Sequence, residues 1–140
     1  MTITEFNNIC KSLVAYAGID GHVLVADEKH AVNKLRDRPG IWLAAVMPST
    51  EVDGEPDAEI ETYTTLLFVL ESADLGQDDA DELAQYQRTQ TAIIKIREYI
   101  SNDQSNGCGT FSRFDPDESV INPEYQIFSD RNGWSMTLVF

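Results

Sequence analysis

The sequence predicts an α+β domain, a mainly antiparallel sheet with an N-terminal helix and one long helix packed on one face. Three observations carry this. Apolar residues recur at helical spacing near the N-terminus and again over residues 79–101. Short apolar or alternating runs lie between and after these stretches, and clusters of Gly, Pro, Asn and Asp separate the runs. At 140 residues the chain has the size of one domain, 1–140, with no linker, internal repeat or low-complexity tract dividing it.

Thr2 and Glu5 have capping-box spacing, and Phe6, Ile9, Cys10, Leu13, Val14 and Ala17 follow on one helical stripe that ends near Gly18. His22–Ala26 reads as a short strand. Asp27 caps a second short helix carrying Ala31, Val32 and Leu35, closed by Pro39-Gly40. Ile41–Met47 and Ile60–Leu70 are nearly continuous apolar or β-branched runs, so both read as strands with both faces partly covered. Pro48–Glu59, with Gly54 and Pro56, then becomes a long hairpin with a mobile tip.

Asp79 and Glu82 repeat the capping-box spacing at the head of a helix running from Asp79 to Ser101. Its stripe is Leu83, Tyr86, Gln90, Ile93, Ile96, Tyr99 and Ile100, with Lys95 and Arg97 placed near the end, where the helix dipole favours cations. The tail switches to strand patterning at Thr110–Phe114, Tyr125–Phe128 and Gly133–Phe140, with Ser129–Gly133 as a turn between the last two. Trp134, Met136, Leu138 and Phe140 alternate onto one face. If that strand lies at the sheet edge, its backbone groups pair with a neighbouring subunit and these side chains form an interface.

Charge is the outlier of the composition. The chain has 24 acidic and 10 basic side chains, a net charge of -14, while its 42% hydrophobic and 24% charged residues are those of an ordinary folded protein. Such a field repels nucleic acid phosphates and anionic head groups, so neither nucleic acid nor membrane is an expected direct partner. No apolar run reaches the roughly 18–20 residues of a membrane span, and the first residues lack the basic and apolar segments of a signal peptide. A cytoplasmic protein with reduced thiols is the simplest expectation, although a disulfide between Cys10 and Cys108 is compatible with the sequence.

No motif for a cofactor, a zinc site or a nucleotide is present, so no cofactor, metal ligand or catalytic set is expected. Cys108, in a Gly-X-Gly turn, has no local base to activate it, and only His22 and His30 titrate near neutral pH. Asp115-Pro116-Asp117-Glu118 resembles a carboxylate cluster but equally a turn. Trp42, Phe68, Tyr86, Tyr99, Phe128 and Trp134 read as core aromatics. Glu51, Asp53, Glu55, Asp57, Glu59 and Glu61 occupy every second position, which in an extended chain lines six carboxylates along one face. Such a stripe docks a basic protein surface or binds a divalent cation weakly. The plainer account is a solvated hairpin tip that resists edge aggregation.

The order of elements, together with the tail Tyr125-Gln126-Ile127-Phe128 through Asn132-Gly133-Trp134-Ser135-Met136-Thr137-Leu138-Val139-Phe140, resembles small tail or head-tail completion proteins of bacteriophages and prophages, tail terminators among them. The resemblance implies a non-enzymatic subunit that forms homo-oligomeric rings and joins other structural proteins, in the cytoplasm or within a virion-like particle. It puts Glu51, Asp53, Glu55 and Asp57 of the loop, and Trp134, Met136, Leu138 and Phe140 of the terminal strand, at interfaces. The net charge departs from this picture, since a ring of such subunits needs its acids directed to solvent, a lumen or basic partners. Two other classes stay open on the residues alone: an acidic regulator or inhibitor whose surface mimics DNA or engages a basic protein, and a small carboxylate-dependent hydrolase or nuclease.

Overall fold

The structure is a computed structural model and describes residues 1–55, 57–107 and 109–140. The readings made for Cys108, as a thiol in a tight turn or half of a disulfide, and for Pro56 in the hairpin loop lie outside the described residues. Helix α1 (Ile3–Ala17) begins as its capping box requires. The Thr2 hydroxyl accepts from the Glu5 N–H, and the Glu5 carboxylate accepts from the Thr2 N–H at 2.5 Å. The helix ends at Gly18, whose φ of 69° lies in the left-handed region that glycine enters without a Cβ penalty.

Strands β1 (Gly21–Val25), β2 (Ile41–Val46), β3 (Ser49–Asp53), β4 (Ile60–Ser72), β5 (Ile121–Ile127) and β6 (Arg131–Val139) form one sheet in the order β1-β2-β4-β6-β5. Helix α2 (Glu28–Leu35), capped by Asp27, connects β1 to its parallel neighbour β2, and every other pairing is antiparallel. β3 continues along the β4 edge that β2 occupies. Its register is offset by one residue, from Ala45 opposite Leu67 to Ser49 opposite Thr64, across Pro48, which has no N–H to give the ladder. The expected long hairpin is therefore present, and much of its supposed loop is a strand.

Helix α1 and the long helix α3 (Asp79–Ser105) share one face of the sheet. There Phe6, Leu13, Ile93, Ile96 and Ile100 pack on Leu43, Leu67, Val69, Met136 and Leu138. Helix α2 lies on the opposite face, with Ala31 and Leu35 over Val23, Val25, Ala44, Phe68 and Leu70. The architecture is the α+β fold the sequence predicts, with the short helix supplying the cover that the second apolar face of β1, β2 and β4 requires.

Several boundaries and faces differ from expectation. The cap of α3 is Asp78, one residue earlier, its carboxylate accepting from the Asp81 N–H at 2.8 Å. The helix runs one turn further, so Lys95 and Arg97 lie well before its end, and the last turn carries no base. Its buried stripe is Gln85, Thr89, Ala92, Ile93, Ile96 and Ile100, while Leu83 is 60% exposed and Gln90 is exposed. Thr110–Phe114 is a turn, not a strand. Phe111 and Phe114 are both buried, and the turn is tied to α3 by Phe111 N–H to Asp103 Oδ2 at 2.9 Å and Gln104 Nε2 to the Phe114 carbonyl at 2.5 Å. The period of two was misleading there because a tight turn can bury residues three apart.

Gly133, expected both to close the turn and to open the last strand, lies inside β6 opposite Leu70 of β4, because the strand begins two residues earlier at Arg131. A Cβ at this position would collide with the Val69 carbonyl oxygen. Gly133→Ala is therefore expected to destabilise the domain by about 1–3 kcal/mol through overpacking, read as a lower urea midpoint.

Candidate functional site

The terminal strand is not the interface proposed for it. β6 runs between β4 and β5, both of its edges are paired, and α3 covers one face. Met136, Leu138 and Phe140 are 0%, 1% and 5% exposed and belong to the core. Trp134 is half-buried, donates from Nε1 to the Tyr86 carbonyl at 3.0 Å and packs edge-on against the Tyr86 ring. Alternation marked the correct buried face, but strand order is set by long-range pairing that a local pattern does not encode. The sheet ends instead at β5, whose outer edge carries Pro123 and a register shift between Glu124 and Ile127, with Gln126 at φ 49°. A proline and a bulge of this kind leave few groups for a further strand to pair with.

The acidic stripe is also rearranged. Because the chain reverses at Gly54 (φ 113°), Asp53 pairs with Ile60, Val52 with Glu61 and Glu51 with Thr62. Directly paired residues point to the same face, so Glu51 and Asp53 share one side of the ribbon and Glu61 the other. The six carboxylates do not form a single row. Glu61 accepts a hydrogen bond from the Tyr63 hydroxyl, and this carboxylate holds the phenol above its ordinary pKa. Glu51, Asp53, Glu55, Asp57 and Glu59 are exposed, as is every residue of β3.

A concavity lies at the other end of β4. It is a cleft of about 800 Å³ between the segment following α2, the end of β4 and the β5–β6 turn. Arg36, Arg38 and Arg131 contribute cations, and Asp37, Asp74 and Asp130 contribute acids; Glu71, also in the wall, is held by Arg88 at 3.1 Å. Arg131 is the unusual member, being only 3% exposed. Its Nη2 donates to the carbonyls of Leu35 at 2.6 Å and Arg38 at 2.7 Å, which fixes the exit of α2 against the start of β6. Its Nη1 has no hydrogen-bond partner among the described residues. Burial lowers the Arg131 pKa from its ordinary value, Asp130 opposes this, and Arg38 adds to it. The Arg38 guanidinium stands 4.6 Å from the centroid of the Trp42 ring. Sequence reading missed this cleft because its walls come from residues 32–40, 71–74 and 128–131, and Arg131 had the look of an ordinary turn residue.

Other candidate groups resolve into structural roles. Asp115 caps a single 3-10 turn, Pro116–Glu118, through the Asp117 N–H at 2.9 Å. Cys10 is buried in the main core, where burial raises its thiol pKa to about 12. His30 lies beside its own helix cap, with Nδ1 accepting from the Ala26 N–H at 3.2 Å. Among the described residues no group of three or more His, Cys, Asp or Glu is placed to hold a metal ion, and no helix is long and apolar enough to cross a membrane.

His22 of β1 places Nε2 2.8 Å from the Asn7 side-chain oxygen of α1. Burial lowers its pKa below the ordinary 6.5, and Lys11 adds to the effect. The unfolded chain therefore binds this proton more tightly than the folded one. Stability from this source is complete above pH 6.5 and is lost as pH falls through the lowered native value. Urea midpoints measured from neutral to mildly acid pH are expected to fall, and His22→Asn is expected to flatten that part of the profile.

Comparison with known protein families, curated proteins and solved structures finds no match for the chain.

Proposed function

We propose that the chain is a non-enzymatic structural subunit that assembles with copies of itself and joins other structural proteins, of the kind that completes or terminates phage and prophage tails. The observation that supports this best is the β3–β4 ribbon. All five residues of β3 are exposed, and Val52 and Ile60 stand 59% and 48% exposed among the carboxylates. A strand that packs on nothing but its hairpin partner, with an open edge, contributes little to the stability of its own chain and much to a surface for another. The subunit acts in the cytoplasm or within an assembled particle.

Sedimentation velocity over a range of protein and salt concentrations tests this. Discrete oligomers are expected, and a strict monomer at high protein concentration in every salt would count against assembly. A second reading, an acidic protein that captures a basic partner, draws on the same exposed carboxylates. Its DNA-mimicking form is the weaker one, because the carboxylates divide between two faces of the ribbon.

A further inference from the structure

We propose that the acidic β3–β4 hairpin of one copy docks in the arginine-lined cleft of the next; the inference rests on the assembly reading above and names its contact. Charge is distributed along the chain in blocks. Four of the ten bases, Lys29, Lys34, Arg36 and Arg38, fall within ten residues, and the stretch from Pro39 to Gln87 contains none. The fold converts this into two poles. β4 runs its 13 residues from the hairpin at Ile60 to the cleft at Ser72, about 40 Å apart at the rise of an extended strand.

At one pole stand the exposed carboxylates of Glu51, Asp53, Glu55 and Glu59, while the N-terminal ammonium of Met1 lies 3.8 Å from Glu61 on the other face of the ribbon. At the other, Arg36, Arg38 and Arg131 offset Asp37, Asp74 and Asp130, and Glu71 is engaged by Arg88. The cleft is thus close to neutral on a chain of net charge -14, which makes it a surface where another copy's acids meet little repulsion. It also holds a specific demand. Arg131 is only 3% exposed, its Nη1 has no hydrogen-bond partner among the described residues, and the carboxylate set against it within its own chain is that of Asp130, so a second carboxylate seated in the cleft acts on it through space and lowers the cost of its burial. A cleft of about 800 Å³ lies within the range that receives a ligand of a few residues.

Two different patches at opposite ends of one molecule make a heterologous contact, which propagates into a closed ring or an open filament rather than stopping at a dimer. Salt screens the attraction between hairpin and cleft and also the repulsion between two chains of net charge -14, so its effect on assembly is the balance of the two.

The test is charge reversal followed by sedimentation. Arg36→Glu with Arg38→Glu changes two exposed side chains of the cleft and leaves Arg131 in its structural place. Asp53→Lys with Glu55→Lys changes the hairpin. Each double variant is expected to weaken self-association by roughly tenfold or more, and an equimolar mixture of the two to recover it, since each reversed pole then faces its opposite. Circular dichroism and urea midpoints like those of the unaltered protein confirm that both variants fold. Oligomers of unchanged size and affinity in both variants would overturn the docking contact while leaving assembly standing. An unaltered protein that stays monomeric at high protein concentration in every salt overturns both.

Discussion

Leu138→Ala is expected to lower the stability of the isolated domain by about 2–5 kcal/mol, a large share of the total stability of a protein this size. Leu138 is 1% exposed, pairs across the sheet from Thr65 and belongs to the cluster formed beneath α1 and α3. Removing its isobutyl group leaves a void that the paired strand β4 and the helices packed above cannot collapse to fill. The measurement is urea unfolding at a concentration too low for association. A residue that faced a neighbouring subunit would leave that midpoint unchanged and alter only the mass in solution, so the two placements of the terminal strand give opposite results.

Gln85→Leu is expected to cost about 2–5 kcal/mol despite preserving size and adding apolar surface. Gln85 is 2% exposed on the sheet-facing side of α3. Its amide donates to the carbonyls of Glu71 at 3.1 Å and Ser72 at 2.9 Å, and its oxygen accepts from Asn132 at 3.0 Å and Gln77 at 3.3 Å. Asn132 in turn accepts from the Gln126 N–H at 2.8 Å, which holds the β5 bulge. Leucine satisfies none of these, and each buried group left unpaired costs about 1–3 kcal/mol. Faster hydrogen exchange at the Gln126 amide separates loss of this network from simple loss of packing. Unchanged exchange there would mean that Asn132 holds the bulge without Gln85.

The elements legible in the sequence were those whose signals are local. Thr2, Asp27 and Gly18 sit where a helix needs them, because capping is decided within one turn. The runs 41–47 and 60–70 announced two covered faces because nearly every position is apolar, aromatic or β-branched, and α2 does cover the second face. What depended on distant pairing was not legible. β3 buries nothing, so its hydropathy is that of a loop. The alternation in Trp134, Met136, Leu138 and Phe140 is the same for an edge strand and an interior one. Leu83 and Gln90 were placed on the wrong side of α3 because buried polar residues, Gln85 and Thr89, take the sheet-facing positions in its first half. The arginine cleft joins three segments that nothing in the sequence connects, and only the folded chain shows that Arg131 is buried.

The exposed ribbon also fixes which proteases can report on it. Loop tips of this kind are the usual sites of nicking, yet no lysine or arginine occurs between Arg38 and Arg88, so trypsin has no bond to cut in β2, β3 or β4. A glutamate-specific protease meets Glu51 and Glu59 directly, while Pro56 protects the bond after Glu55. Digestion by the one and resistance to the other would give the free ribbon a signature of its own, and burial of the ribbon in an assembly would erase it.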